Sequence, residues 1–333
     1  MGKWTLKTLE LPLKMNWKIS RGESVKKTNL IVEYSDGEFS GKGEVSFPTG
    51  HEHELLGNAK VDFENFQSNI NRDFHSLEEL HLALAKIEMS SFLRVGIETA
   101  FLHFMSHLTG DDVQKLLAVN KISHINTSIS IPILKEEELE EYIKKMNVNS
   151  FSAVKVKIDK NVDPNFLKKI HEMYKGFIRI DANESFDSAK EVLEFCEKLQ
   201  GLPIDFLEQP LKKELWEEQK VLCENSPYAL IADESVTDGT IIEEIGEYFD
   251  GVNIKLAKSG GYFKAIKQLR DARELGLKTM VGCMVETSLG ISSTMNIAFG
   301  CDYFDLDGFL LLEKDPFELI GVEKGKLFYS HLH

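Results

Sequence analysis

The sequence predicts an α/β protein in which eight parallel strands form a barrel behind a separate α+β segment. From about residue 124 onward, strand-like runs alternate with amphipathic helical runs, as in repeated βα units. Eight such strands recur about every 25 residues, a number and spacing that favour a closed barrel over an open sheet. A charged residue recurs near the ends of these strands, where barrels of this type carry their active sites.

The first part of the chain has a different pattern. The run "NLIVEYSDGEFSGKGEVSF" predicts a β-hairpin with Asp36-Gly37 as its turn. A polar stretch, "PTGHEHELLGN", follows, and helical periodicity then extends to about Leu117. This segment is therefore predicted to be an α+β unit that ends near residue 122.

The barrel strands are predicted from eight runs: "INTSISIPI", "FSAVKVKI", "FIRIDAN", "IDFLEQP", "YALIADES", "GVNIKL", "KTMVGCM" and "YFDLDG". Amphipathic stretches such as "DPNFLKKIHEMYKG" lie between most of them and predict the crossover helices. The barrel domain is expected over residues 123–314. Residues 315–333 leave the pattern, and we expect them to pack back on the N-terminal segment.

Composition limits the classes of partner. The chain has 333 residues, is 42% apolar and carries a net charge of −15. It can bury a large core, and its acidity opposes binding to nucleic acid or to anionic membranes. The four cysteines have neither metal-site spacing nor the density of a disulfide framework, and no window is apolar enough for a membrane span. We expect a cytoplasmic protein; a homo-oligomer is compatible with the sequence, which leaves the oligomeric state open.

Charged residues follow the βα period. Lys157, Asp181, Glu208, Asp233, Lys255 and Asp305 are separated by 24, 27, 25, 22 and 50 residues, the last interval skipping one strand. The carboxyl ends of barrel strands converge on one face, so these groups are predicted to meet there. One such carboxylate alone is more typical of a helix cap or turn, but the recurrence on successive strands favours a functional site.

Asp181, Glu208 and Asp233 are the predicted metal ligands. Three carboxylates offer the oxygen donors that suit a hard cation such as Mg²⁺. Asn183 and Glu234 are candidates for supporting these ligands, although Asn183 is equally typical of a turn.

These motifs resemble the enolase superfamily, and within it the muconate-lactonizing subgroup. The matching pieces are "KVK" at 155–157, "DAN" at 181–183, "EQP" at 208–210, "DES" at 233–235 and "NIKLAKSGG" at 253–261. The resemblance implies a modified TIM-type (β/α)7β barrel under an α+β capping domain formed by residues 1–122 and the C-terminal tail. It also implies two mobile capping loops, near residues 16–26 and 46–58, that close over the substrate.

The resemblance also implies roles for the lysines. Enzymes of this type remove a proton next to a carboxylate, and one bound Mg²⁺ per subunit neutralises the charge of the enediolate that forms. Lys157 is then the base and Lys155 contacts the substrate carboxylate, while a neighbouring cation lowers the pKa of the base. Lys255 lies four strands from Lys157, so the two lysines can address opposite faces of one carbon and invert it.

The substrate-binding set is predicted from the eighth strand. Asp305 and Asp307 share one face, and two acids beside an already balanced metal require a cationic partner. The pair resembles the Asp-x-Asp motif of dipeptide epimerases, which binds the substrate ammonium. Asp307-Gly308 is alternatively a simple turn. Thr127, in the first predicted barrel strand, and Glu286, after the seventh, complete the predicted substrate-binding set.

The first capping loop, "KISRGESVKK", departs from the Ala-Glu epimerases. Ser24 stands where a basic residue is expected to recognise the glutamate side chain. Arg21 is included with Ser24 in the substrate-binding set, and Lys26 and Lys27 are further candidates, although each of these cations is also typical of a solvated surface. The substrate is therefore predicted to be Ala-Glu or another Ala-Xaa dipeptide. The histidines of "GHEH" at 50–53 have no metal-ligand partners in sequence and are left out of the metal set.

Two alternatives to a dipeptide epimerase remain open. The first is another activity of the same subgroup: o-succinylbenzoate synthase, N-acylamino acid racemase or muconate-type cycloisomerase. Their substrates lack a free ammonium. The second is a noncatalytic binding protein on the same scaffold, which would not need two lysines directed at one carbon.

Overall fold

The computed structural model describes residues 2–20 and 22–330. Arg21, one of the predicted substrate-binding residues, lies outside the described residues. No helix in the described ranges is both long enough and apolar enough to cross a membrane.

An antiparallel sheet in the order β1-β2-β3 forms the N-terminal domain together with four helices. Its strands are β1 (Lys3–Ile19), β2 (Gly22–Ser35) and β3 (Ser40–Val45). Its helices are α1 (Glu52–Asn69), α2 (Leu77–Leu84), α3 (Ser91–Thr109) and α4 (Val113–Leu116). The predicted Asp36-Gly37 turn joins β2 to β3, and the Asp36 carboxylate accepts hydrogen bonds from the backbone N–H groups of Glu38 and Phe39.

Helix α3 is the central helix of this domain. It is buried along most of its length because it is apolar on nearly every face. Strand β3 lies directly on it at Gly43 and Gly96, where a Cβ on Gly43 would come within 2.0 Å of the Gly96 carbonyl oxygen. Any larger residue at either position would push the strand away from the helix.

Eight parallel strands form the second sheet, in the order β12-β11-β10-β9-β8-β7-β6-β5. They are β5 (Ile129–Ile131), β6 (Ala153–Lys157), β7 (Phe177–Asp181), β8 (Ile204–Glu208), β9 (Ala229–Ala232), β10 (Gly251–Lys255), β11 (Lys278–Gly282) and β12 (Tyr303–Asp305). The intervening helices are α5 (Leu139–Lys145), α6 (Pro164–Met173), α7 (Ala189–Glu197), α8 (Trp216–Asn225), α9 (Ile242–Ile245), α10 (Leu256–Ser259), α11 (Tyr262–Glu274) and α12 (Ser288–Met295).

The sheet nearly closes between its first and last strands. The backbone N–H of Ser128 donates to the carbonyl of Phe304 at 3.1 Å, and the Leu306 N–H donates to Thr127 Oγ1 at 2.8 Å. Strands with both faces covered are near-continuously apolar in sequence, and β6 to β11 are almost entirely buried. The predicted TIM-type barrel behind an α+β domain is therefore confirmed.

The C-terminal residues form a hairpin on the outside of this sheet. Strands β13 (Ile320–Glu323) and β14 (Lys326–Tyr329) pair with each other, and β14 pairs with β4 (His124–Asn126). The Tyr329 hydroxyl donates to Asn296 at the end of α12 and accepts from Gln114 of the N-terminal domain. The domain boundaries at residues 122 and 314 stay a prediction.

The tip of the β1–β2 hairpin reaches the mouth of the barrel. Leu13 forms a β-bridge with Leu312, the Ile133 N–H donates to the Lys18 carbonyl at 2.9 Å, and Ser20 Oγ donates to the Asn183 carbonyl at 3.1 Å. The two segments expected as capping loops thus carry regular structure. Most of 16–26 belongs to β1 and β2, and α1 begins within 46–58.

Candidate active site

A cavity of about 480 Å³ lies where the barrel meets the hairpin tip. Three of the predicted residues that end their strands line it: Lys157 of β6, Lys255 of β10 and Asp305 of β12. Asp181 and Glu208 end β7 and β8 and do not line the cavity, but both contact Lys155, which does. The strand register aligns Lys157 with Asp181 and Asp181 with Glu208. The charged residues that recur with the βα period in the sequence therefore form a ring at the carboxyl ends of the strands.

Lys155 is the most buried cation of the cavity. Its Nζ lies 3.1 Å from Asp181, 2.9 Å from Glu208 and 2.7 Å from Asp305. Burial disfavours the charged ammonium, but these carboxylates outweigh burial and hold the pKa of Lys155 well above its usual value. Lys155 is thus a fixed positive charge among the carboxylates.

Lys157 shares one carboxylate oxygen with Lys155. Its Nζ lies 2.7 Å from Asp181 Oδ2 and 3.4 Å from Asn183 Oδ1, and 5.9 Å from the centre of the Trp17 ring. Burial raises the pKa of Asp181, but Lys155 and Lys157 outweigh burial and leave that pKa below its usual range. The two lysines of "KVK" point to the same face because they are two residues apart on β6, and Asp181 Oδ2 contacts both.

Lys255 is on the far side of the cavity, four strands from Lys157. Its Nζ lies 2.8 Å from Asp233 Oδ2. Burial lowers the pKa of Lys255, but the attraction of Asp233 prevails, so the pKa is raised above its usual value. Lys258 also binds Asp233, with Nζ 2.6 Å from Oδ1, and burial lowers the pKa of Lys258.

Glu208 is buried and only partly compensated. Its Oε1 accepts from Asn253 Nδ2 at 2.8 Å, and its Oε2 makes the contact with Lys155 but has no hydrogen-bond partner of good geometry among the described residues. Burial raises the pKa of Glu208 to about 7. Gly282 provides space for Asn253, since a Cβ there would come within 2.6 Å of the amide oxygen.

The carboxylates have the donor chemistry that Mg²⁺ prefers, and the poorly bonded oxygen of Glu208 fits an additional cation. In the part of the chain that the structure describes, no three His, Cys, Asp or Glu side chains are already arranged around one point as metal ligands. The Lys155 ammonium contacts both Asp181 and Glu208, where a cation would otherwise bind them. Asn183 Nδ2 donates to Glu234 at 3.3 Å and connects the regions around Asp181 and Asp233.

Asp305 and Asp307 both line the cavity, as the Asp-x-Asp pattern requires. Asp305 accepts from Lys155 and, at 2.8 Å, from Ser128 Oγ. Asp307 accepts from the Ser130 N–H at 2.6 Å, and burial together with the charge of Asp305 raises the pKa of Asp307 to about 7. Among the described residues, the charge of Asp307 is therefore not balanced by a bonded cation.

Glu286 does not line this cavity. It accepts from Ser46 Oγ at 2.8 Å, next to Glu44, which is buried and bound by the Thr287 and Gly290 N–H groups. Burial, with Glu44 as the next cause, raises the pKa of Glu286 to about 8. Glu286 lies at the contact between the N-terminal domain and the barrel.

Thr127 and Ser24 are not among the described residues that line the cavity. Both described bonds of the Thr127 hydroxyl are to backbone groups, those of Ser128 and Leu306. Ser24 Oγ is bonded to the Lys26 carbonyl on the hairpin. Their roles in binding stay predictions.

The lysines of the hairpin differ from each other. Lys26 is exposed and paired with Glu10, as a surface charge would be. Lys27 is fully buried and paired with Glu52, so its interpretation as a solvated surface charge was wrong. The reason is that its partner comes from another element, 25 residues further along the chain.

Sequence reasoning missed Lys258 and Glu44. Lys258 lies in the "NIKLAKSGG" motif but was given no role there; its position one turn of α10 after Lys255 was the available signal. For Glu44 the sequence carried no signal, because its partners Thr287 and Gly290 are more than 240 residues away.

Comparison with known proteins agrees with this geometry. Residues 136–316 match the family described as "Enolase C-terminal domain-like". An "L-Ala-D/L-amino acid epimerase" of Maribacter sp. is 29% identical over 93% of this chain and 91% of that protein. Another of that name, from Pedosphaera parvula, is 34% identical over 71% of this chain and 68% of that protein.

Solved structures include a dipeptide epimerase from Cytophaga hutchinsonii complexed with Mg and D-Ala-L-Val. It has a TM-score of 0.89 and 24% identity, over 98% of this chain and 92% of that one. The fold is that of a TIM-type barrel enzyme with an α+β domain. More particularly, this chain belongs to the enolase superfamily, and its relatives include proteins named L-Ala-D/L-amino acid epimerase.

Proposed function

We propose that this protein is a Mg²⁺-dependent dipeptide epimerase. It inverts the α-carbon of the C-terminal residue by removing a proton from one face of that carbon and adding a proton to the opposite face. The observation that carries the proposal is the position of Lys157 and Lys255 on opposite sides of one cavity that also contains Asp305 and Asp307. Two lysines can thereby address the two faces of one carbon. The names of the relatives support the same activity.

The lysines divide the proton transfer. One lysine, in its neutral amine form, removes the α-proton from one face of the carbon. The other lysine, in its ammonium form, donates a proton to the opposite face. Lys255 lines the cavity opposite Lys157, with its Nζ 2.8 Å from Asp233.

Asp181, Glu208 and Asp233 would hold the Mg²⁺. When bound, the ion would stabilise the negative charge that develops on the substrate carboxylate. Lys155 contributes a second positive charge at the same place and orients the carboxylate by a charge-assisted hydrogen bond. Asn253 keeps Glu208 in position through its amide.

Asp305 and Asp307 would bind the substrate ammonium. Asp307 is buried beside a second acid, and an incoming cation compensates both charges. This distinguishes a dipeptide from the substrates of the other activities in the subgroup, which lack a free ammonium.

The direct test is deuterium incorporation. Incubation with Mg²⁺ in D₂O and a library of L,L-dipeptides is expected to place deuterium at the C-terminal α-carbon of one subset, read by mass spectrometry, and EDTA is expected to abolish it. No incorporation in any dipeptide, with the protein folded and metal bound, would contradict the proposal. It would favour the cycloisomerase and acylamino acid activities.

The pKa of Asp307 predicts a pH dependence. Its folded value of about 7 lies above the usual one, so Asp307 takes up a proton as pH falls below 7 and then cannot balance an ammonium. We expect kcat/KM for a dipeptide to fall by up to about tenfold per pH unit below this pKa. Asp307→Asn should flatten that limb of the profile, and an unchanged slope in the variant would assign it to another group.

A further inference from the structure

The wall that the N-terminal domain contributes to the cavity is apolar. Its lining residues include Trp17, Ile19, Phe47, Pro48 and Phe92. The remaining ones in the described ranges, Thr49 and Ser91, carry hydroxyls and no charge. A substrate side chain that meets this wall finds apolar surface and two hydroxyl groups, those of Ser91 and Thr49.

A buried cation lies directly behind Thr49. Lys27 Nζ is 3.3 Å from Thr49 Oγ1, and the Lys27 side chain is 0% exposed. Burial lowers the pKa of Lys27, and Glu52 opposes that shift. The Thr49 side chain therefore lies between the Lys27 ammonium and the cavity, on the side that the N-terminal domain forms.

Glu52 neutralises this cation. Its Oε1 pairs with Lys27, and its Oε2 accepts from the Gly50 N–H at 2.8 Å. The pair links β2 to the first turn of α1, so it fixes the segment that contains Thr49. With Glu52 present, Lys27 has its counter-ion and offers little attraction to a substrate carboxylate.

This inference rests on the proposed function and names its substrate class. We infer that Glu52 determines specificity: by pairing with Lys27 it keeps the cap side of the cavity neutral, so the enzyme favours dipeptides with an apolar C-terminal residue and disfavours acidic ones. Glu52 is a positioning and specificity residue and takes no part in proton transfer. An acidic side chain would meet an apolar wall backed by an already paired lysine, and burying its charge there is costly.

Glu52→Gln tests the inference. The amide keeps an acceptor for the Gly50 N–H but removes the charge, which leaves Lys27 in need of an anion. We expect the ratio of kcat/KM for L-Ala-L-Glu to that for L-Ala-L-Leu to rise by about tenfold or more, mainly through KM. Wild-type protein should prefer L-Ala-L-Leu.

The matched control is the double variant Lys27→Met/Glu52→Gln. It removes both charges, so it should lose the gain in ratio that the single variant shows. Thermal unfolding provides a second readout: L-Ala-L-Glu should raise the midpoint of Glu52→Gln more than that of wild type. Neither difference is expected from a pair that only holds the fold together.

Three results would overturn the inference. One is an unchanged ratio in folded Glu52→Gln, and another is an equal rise in the double variant. A third is a wild-type preference for L-Ala-L-Glu over L-Ala-L-Leu; its loss in Arg21→Met would assign the selecting cation to Arg21. Failure of the proposed function would be separately visible, as absence of α-proton exchange in wild type with every dipeptide, and would remove the basis of the inference.

Discussion

Replacing either Lys157 or Lys255 with alanine is expected to lower the rate of epimerisation by about 10²–10⁴-fold, the usual contribution of a positioned acid or base. Inversion needs both lysines, because one face of the carbon loses a proton and the other gains one. Each single variant should therefore be defective in both directions of the reaction, although it retains one of the two groups.

Stereospecific exchange in D₂O separates the two roles. A variant that keeps one lysine should still exchange the α-proton of the dipeptide stereoisomer whose proton faces that lysine, and the two variants should have opposite preferences. Both variants would exchange the α-proton without inverting the α-carbon. If either variant epimerised at the wild-type rate, the two-lysine mechanism would be wrong.

Lys160→Ala is the matched control for these variants. Lys160 follows the same strand as Lys157, but its side chain is half exposed and it pairs with Asp187 on the surface. The substitution should leave both epimerisation and exchange unchanged. A comparable loss in this control would point to a general effect of removing positive charge near the end of β6.

The barrel was predictable because its signals are local and repeat. Each strand is a short apolar run with a charged residue at or near its end, and the interval between those residues equals one βα unit. Parallel pairing then fixes the level at which they meet, as the register of Lys157 with Asp181 illustrates. The class of fold thus follows from a period that can be read without tertiary information.

The contacts among the site residues were not predictable in the same way. Lys155 was expected beside Lys157, but its approach to Asp305 joins residues 150 positions apart, across the first and last parts of the barrel. The sequence indicates that such groups meet at one face and does not indicate which oxygen each nitrogen binds. The roles assigned to them remain predictions until the variants are measured.

The hairpin illustrates a different difficulty. Lys26 and Lys27 are adjacent and chemically identical, yet one is exposed and the other is fully buried. Alternation along a strand predicts that neighbours face opposite sides, but it does not indicate that the covered side contains a carboxylate. Glu52 supplies that carboxylate, and its position depends on where α1 begins.

Lys155→Met is expected to destabilise the protein by about 3–5 kcal/mol when no divalent cation is present, the usual cost of removing one partner of a buried ion pair. Asp181, Glu208 and Asp305 would lose their common counter-ion while remaining buried. Denaturant unfolding with EDTA measures the loss. Lys160→Met, at an exposed position, should change stability by no more than about 0.5 kcal/mol.

Mg²⁺ should reverse part of that loss, and this links stability to the proposed metal site. In wild-type protein the ion must bind carboxylates that already contact an ammonium, whereas in Lys155→Met it meets uncompensated negative charge. At a given concentration, a ligand that binds the folded state more tightly stabilises it more, so Mg²⁺ should raise the unfolding midpoint of the variant more than that of wild type. Equal shifts in the two proteins would mean that Lys155 and the ion do not compensate the same carboxylates, and the assignment of Asp181 and Glu208 as ligands would then be wrong.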